Sequence, residues 1–170
     1  MTKLIVTADL HGRYSSWLTV KNLLSLNDKL AIAGDLFDTK YGDYSNPDFQ
    51  PDSIRDELVS LEHSFYYVYG NCDSPAFCPG YPSAMIFTAF NKKIYLSHGH
   101  HLPATDENMD IIIQGHTHLY SLEKKGPHIF LNPGSTAYPR NGKFTYGVIN
   151  KTSASIIDLK TDETLMCICF

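Results

Sequence analysis

Apolar and polar positions follow two different rhythms along this chain, and the change of rhythm divides it near residue 84. Leu4, Ile5 and Val6 form a continuous apolar run, the pattern of a strand buried on both faces. Between Ser15 and Asn27, Trp17, Leu18, Val20, Leu23 and Leu24 recur at steps of three and four, which predicts a helix with one face laid on a sheet. Leu30 to Ala33 reads as a second strand. Residues 39–51, with Tyr41, Gly42, Asp43, Tyr44, Ser45, Asn46, Pro47 and Pro51, keep neither period and predict a loop. Asp52 or Ser53 is placed to cap a short helix carrying Ile54, Leu58 and Leu61, and the β-rich run Phe65 to Tyr69 returns to the sheet.

From Ala84 onward helical spacing disappears. Met85–Phe90, Lys93–Leu96, Asp110–Ile113, His128–Leu131, Phe144–Ile149, Ser155–Leu159 and Leu165–Cys169 read as strands with short connections. A first half that alternates β-α-β-α-β and a second half that is mostly strand predict an α/β sandwich of two packed sheets with helices outside. No repeat, linker or low-complexity tract interrupts it, and at 170 residues with 43% hydrophobic content the whole chain, 1–170, reads as one domain.

Charge narrows the function. A net charge of -4, with 14 Lys and Arg scattered among 170 residues, leaves no basic track for a long nucleic acid. Cys72, Cys78, Cys167 and Cys169 lack the paired spacing of a structural zinc site, and the apolar run before Asp9 is too short for a leader core or a membrane span. These features predict a reducing cytoplasm and no membrane partner.

The chemistry sits in five short polar patches, each placed where an apolar run gives out: Asp9-Leu10-His11, Gly34-Asp35, Gly70-Asn71-Cys72-Asp73, Ser97-His98-Gly99-His100 and Gly115-His116-Thr117-His118. Asp9 and His11, two apart just past a strand, project to the same side and can grip one ion. Asp35 has two oxygens with which to bridge a pair of cations about 3.5–4 Å apart. Asn71 offers a neutral carbonyl oxygen. His98 and His100, like His116 and His118, interrupt segments that otherwise favour burial, which is costly without partners. Singly, each patch is equally a turn, a cap or a satisfied core histidine. Together, carboxylate, imidazole and amide suit first-row divalent metals in hydrolytic roles.

The ordered set D-x-H, G-D, G-N-x-D, H-G-H and G-H-x-H, followed by Asn132-Pro133-Gly134-Ser135, resembles the calcineurin-like metallophosphoesterase superfamily, and within it the small bacterial YfcE-type phosphodiesterases, over residues 3 to about 149. The resemblance implies a four-layer α/β/β/α sandwich of two mixed sheets flanked by helices, with a dinuclear centre at the carboxyl ends of the strands. By motif position, Asp9, His11 and His118 hold one metal and Asn71, His98 and His116 the other, with Asp35 between them. Manganese is the expected ion, and the ligand types also admit Fe, Ni, Co or Zn. The implied reaction is hydrolysis of small phosphodiesters by in-line attack of a hydroxide shared by the two ions.

The superfamily's larger members carry a histidine after Gly-Asn, where this chain has Cys72. Read as an exposed thiol of pKa about 8.5, it is a poor proton donor near neutrality, so diesters are favoured over unactivated monoesters. Asp73 is expected to orient its surroundings or to serve its own turn, and His100 to support the ligands or relay a proton. Arg13 and Arg140 are candidates for a phosphate contact and, equally, for solvated surface arginines. The 39–51 loop either caps the site with Tyr41, Tyr44 and Phe49 or packs on its own aromatics. A homo-oligomer is allowed for. The rival reading is a phosphoesterase-fold protein-binding scaffold of the retromer kind; it predicts damaged ligands, whereas all seven are intact here.

Overall fold

In the computed structural model, which describes residues 2–100 and 108–170, the first half folds as the periodicity predicts. Strand β1 (Leu4–Thr7), helix α1 (Tyr14–Asn22), β2 (Lys29–Ile32), α2 (Pro51–Val59) and β3 (Phe65–Tyr67) alternate. After them come β4 (Ala84–Ala89), β5 (Lys92–Ser97), β6 (Ile111–Ile113), β7 (Tyr120–Lys125), β8 (His128–Pro133), β9 (Thr145–Ile149), β10 (Ser153–Asp158) and β11 (Thr164–Cys169). Two mixed sheets result, one ordered β11-β10-β9-β1-β2-β3 and the other β4-β5-β6-β8-β7.

Side-chain alternation along β1 shows how the layers are glued. Leu4 and Val6 face the second sheet and join Ile94, Leu96, Ile111, Ile113, Ile129 and Leu131 in an inter-sheet core. Ile5 faces the other way, onto Trp17, Val20, Ile54 and Leu58 of the two helices. All of these are buried. Each such side chain contributes about 1.5–3 kcal/mol relative to exposure. Both described helices therefore cover the outer face of the six-stranded sheet, and a helical layer over the five-stranded sheet is not found among the described residues. No helix among the described residues is long and apolar enough to cross a membrane.

Three local expectations change. Helix α1 stops at Asn22 rather than continuing to Asn27, closed by a tight turn in which the Leu24 N–H donates to the Lys21 carbonyl, and Leu26 is left exposed. Helix α2 begins two or three residues early, with Gln50 at its N-cap position and Pro51, whose φ is preset and whose missing N–H costs nothing, at its start; Ser53 bonds the Gln50 side chain instead of capping. Strand β7 goes unread in the sequence because Glu123, Lys124 and Lys125 are solvated. It is an edge strand, held by pairing with β8, and charge is what such edges carry.

The topology places the chemistry. Strands β1, β2 and β3 run parallel in one sheet, and β5, β6 and β8 run parallel in the other. The polar patches follow the carboxyl ends of β1, β2, β3, β5 and β6, so connections far apart in sequence meet at one rim.

Candidate metal centre

Glycine makes the meeting of the two sheets possible. Gly34 has φ +84°, and a Cβ there would lie 2.6 Å from His98 Nδ1; a Cβ on Gly70 would run into the Asp35 carboxylate and backbone N–H. The ligand loops are then laced together. The Asp9 N–H donates to the Gly34 carbonyl at 3.1 Å, the His11 N–H to the Asp35 carbonyl at 2.9 Å and the Gly115 N–H to the His98 carbonyl at 3.0 Å. The cost shows in the backbone: Asp9, His11, Asp35, His116 and His118 take φ of 56°, 49°, 50°, 68° and 59°. Non-glycine residues rarely adopt that region, at a cost on the order of 1 kcal/mol or more each, and such strain gathers at functional sites.

Two clusters of donor atoms emerge. In the first, His118 Nε2 lies 3.4 Å and His11 Nε2 3.9 Å from Asp9 Oδ1, and the two Nε2 atoms are 3.1 Å apart. In the second, His98 Nε2 lies 3.0 Å from Asp35 Oδ2, 3.1 Å from Asn71 Oδ1 and 3.3 Å from His116 Nδ1. The clusters are joined through Asp9, whose Oδ2 accepts the His116 N–H at 3.0 Å.

The imidazole tautomers decide what these clusters are for. His98 Nδ1 is 2.8 Å from the Ala33 carbonyl and His118 Nδ1 is 2.8 Å from the Tyr138 carbonyl. A carbonyl only accepts, so both Nδ1 atoms carry a proton, and each ring, when neutral, presents its Nε2 lone pair. His11 Nδ1 is tied in the same way to Asp38 Oδ2 at 3.0 Å. Lone pairs therefore converge on Asp9 Oδ1, a buried oxygen with no hydrogen-bond donor among the described residues. Such a set repels itself until a cation enters, and it fits the pair of divalent ions that the sequence implied.

Without a cation, a proton on His98 Nε2 takes that place, donated to Asp35 Oδ2 at 3.0 Å. Burial, opposed by the neighbouring His98 and assisted by the Asp35 charge, pushes Asp9 up to about 7. At Asp35 burial acts in the same sense but is outweighed by the His98 hydrogen bond and charge and by the Cys72 N–H, and the carboxyl drops to about 2. Burial would lower His11 and His98, but the carboxylates Asp38 and Asp35 raise them. Burial lowers His116, assisted by His98, and His118. Asp35 acts on Asp9, His11 and His118 of the first cluster as well as on its own.

All seven expected ligands, Asp9, His11, Asp35, Asn71, His98, His116 and His118, thus share one rim. His100 stands beside them, its ring 5.4 Å from His98 and 6.2 Å from His116. Asp73 turns inward: its carboxylate accepts the N–H groups of Leu36, Phe37 and Gly70 and the Tyr67 hydroxyl, so it shapes the Asp35 loop without facing the donor clusters. Cys72 is buried rather than exposed, and desolvation beside Asp35 pushes its thiol well above the ordinary value, which makes it a still poorer acid than expected. Arg140 is exposed and close enough for its charge to lower His116 and His118. The guanidinium of Arg13 is held through Nε by Asp48 at 2.6 Å. In the 39–51 loop, Phe49 is buried and packs edge-on against Tyr44 at 4.9 Å, whereas Tyr41 stays exposed.

Several contributors went unread. Asp38 orients His11, Ser135 Oγ donates to the Asp9 carbonyl at 2.7 Å, and the Asn132 amide donates to the Gly115 carbonyl at 2.8 Å. Asp38 left a trace only as a second carboxylate three residues after Asp35, whereas Asn132 and Ser135 belong to a motif the sequence had singled out without revealing these contacts.

Comparison with known proteins points the same way. The chain is 29% identical to the phosphodiesterase YfcE of Escherichia coli over 98% of its own length and 96% of the relative's, and 28% identical to a probable metallophosphoesterase of Mycoplasma pneumoniae over 94% and 96%. The E. coli Yfce phosphoesterase structure superposes with a TM-score of 0.82 at 26% identity over 98% of both chains; Vps29 of Entamoeba histolytica shares the fold, with a TM-score of 0.68 at 22% identity over 99% of both. The calcineurin-like phosphoesterase superfamily domain matches residues 2–154, more than half of the chain, and the protein belongs to that superfamily.

Proposed function

We propose that this protein is a phosphodiesterase that binds two divalent cations, manganese by preference, and hydrolyses small phosphodiesters. The observation that carries the reading is the convergence of imidazole lone pairs on the buried oxygen Asp9 Oδ1 and on Asp35. Asp9, His11 and His118 would hold one ion, Asn71, His98 and His116 the other, and Asp35, whose charge reaches both clusters, would lie between them. Bound there, the ions would supply Lewis acidity, lowering the pKa of a water and neutralising charge on phosphate oxygens.

The chain's own residues do the rest. Ala33, Tyr138 and Asp38 lock three imidazoles with Nε2 directed into the site, so no reorganisation is needed when a cation arrives. Arg140 brings positive charge to the open side, where a phosphate would sit. The buried, proton-retaining Cys72 holds its proton too tightly to give to a poor leaving group, which favours diesters with good leaving groups. His100 stands beside the ligands and is assigned to steadying them or relaying a proton.

Metal analysis of the purified protein, together with initial rates on bis(p-nitrophenyl) phosphate and p-nitrophenyl phosphate across Mn, Fe, Ni, Co and Zn, tests this reading. Two ions per chain, faster turnover of the diester and loss of at least about a thousandfold in Asp35→Asn are expected. Bound metal with no turnover of either ester would move the assignment to a protein-binding scaffold.

A further inference from the structure

Beside the metal centre lies a cavity of about 480 Å³, lined by Arg13, Ser15, Ser16, Thr19, Thr136, Ala137, Phe144, Leu159 and Lys160. It is within the size range of small-ligand sites and large enough for a sugar-sized group. Both of its walls lead back to metal ligands. On one side, Arg13 follows His11 by two residues and α1 continues to Ser15, Ser16 and Thr19. On the other, Thr136 and Ala137 precede Tyr138, whose carbonyl fixes His118. The Tyr138 ring stands between the two, 5.6 Å from the His11 ring and 5.8 Å from the Arg13 guanidinium carbon, so the cavity begins where the ligand cluster ends.

Its chemistry is that of a receptor for hydroxyl groups. Ser15 Oγ donates to Asp48, Ser16 Oγ to the Thr136 carbonyl and Thr19 Oγ1 to the Ser15 carbonyl, which leaves the lone pairs of all three oxygens as acceptors. Thr136 is about nineteen-twentieths buried, and its Oγ1, enclosed within the wall, has no partner among the described residues. The charged side chains in the lining, Arg13 and Lys160, are both cationic. Asp48 holds Arg13 through Nε and Arg13 Nη1 donates to the Tyr138 hydroxyl at 3.4 Å, which aims the guanidinium at the junction between cavity and ligand cluster, while the Lys160 ammonium stands 4.6 Å over the Phe144 ring. Such a lining disfavours a cationic group and accommodates a hydroxylated one.

We propose that this cavity is the subsite for one ester arm of the phosphodiester, and that the arm it selects is a hydroxylated, sugar-sized group, with Arg13 at the junction between arm and phosphate. The inference rests on the phosphodiesterase reading for its kinetic test and is separable from it by a binding test. Two substrates with the same leaving group isolate the arm: methyl p-nitrophenyl phosphate and thymidine 5′-p-nitrophenyl phosphate. In the manganese-loaded enzyme, kcat/KM for the thymidine ester should exceed that for the methyl ester about tenfold or more. Thr19→Trp, which fills the cavity from the exposed side of α1, should bring this ratio close to one through KM. Because the readout is a ratio within each variant, a general loss of activity cancels. A wild-type ratio near one, or a ratio that survives Thr19→Trp, overturns the subsite. If neither ester is turned over, the phosphodiesterase reading fails by itself, and calorimetric binding of thymidine 5′-monophosphate to the metal-loaded protein decides the subsite. Binding that weakens at least tenfold in Thr19→Trp supports it; absent or unchanged binding overturns it.

Discussion

Asp9 gives the sharpest test of the metal-centre argument, because its environment opposes its charge until a cation arrives. The carboxyl has no solvent exposure, and burial raises its pKa from the ordinary 3.8 to about 7. In the unfolded chain it ionises near 3.8, so without metal the folded state loses stability as pH rises from about 4 through about 7. Below 4 both states hold the proton and nothing is lost. The difference of about 3 units corresponds to at most ~4 kcal/mol, at ~1.4 kcal/mol per unit. Asp35 is shifted the other way and titrates at the acid end, while His11 and His98, raised by the carboxylates, titrate within the window but are common to wild type and variant, so the comparison with an Asp9 variant isolates the carboxyl. Asp9→Asn keeps the shape and the acceptor for the His116 N–H while removing the charge. Thermal unfolding followed by circular dichroism in chelator should therefore show the variant more stable than wild type at pH 8, by roughly 5–15 °C, with the gap closing by pH 5. Saturating manganese should reverse the order, since only the wild type gains from the ion. A variant less stable than wild type at pH 8 without metal, or a gap independent of pH, would refute the account of Asp9 as a charge held for a cation.

Other consequences follow from individual contacts. Asp38→Asn weakens the bond that sets the His11 tautomer, and metal affinity measured by competition with a chromogenic chelator should fall about 10–100-fold while the fold is kept. Gly70→Ala drives a methyl group into the Asp35 carboxylate and should abolish turnover; ion stoichiometry close to that of wild type with full activity would show that the close approach is dispensable. Glu57 joins the helices by accepting from Tyr14, Trp17 and Lys21, and its carboxyl is lowered to about 2, chiefly by the Lys21 and Tyr14 hydrogen bonds. Its contribution is present above about 4.5 and is lost as pH falls toward 2, so Glu57→Gln should lower Tm at pH 7 by a few degrees at most, given its solvent screening, and have less effect near pH 3.

By itself the sequence determined the period of each segment, and through it the alternating first half, the strand-rich second half and the loop over 39–51, because burial of a strand or a helix face writes itself locally into residue type. It also marked the candidate ligands: carboxylates and imidazoles at the ends of apolar runs are costly without partners, and the order of the motifs, through the family resemblance, singled out Asp9, His11, Asp35, Asn71, His98, His116 and His118 among them. Strand β7 was not legible, since a solvated edge strand carries no apolar alternation and exists only through its pairing with β8. The burial of Cys72 and the inward turn of Asp73 were equally hidden, because both are set by backbone groups from another loop. Only the tertiary structure decided which imidazole nitrogen faces the donor clusters, since the Ala33 and Tyr138 carbonyls that choose the tautomers lie 65 and 20 residues from the histidines they hold. The cavity between α1 and the 136–160 segment has the same origin: its walls come from opposite ends of the chain, and no local pattern records a space that exists only between them.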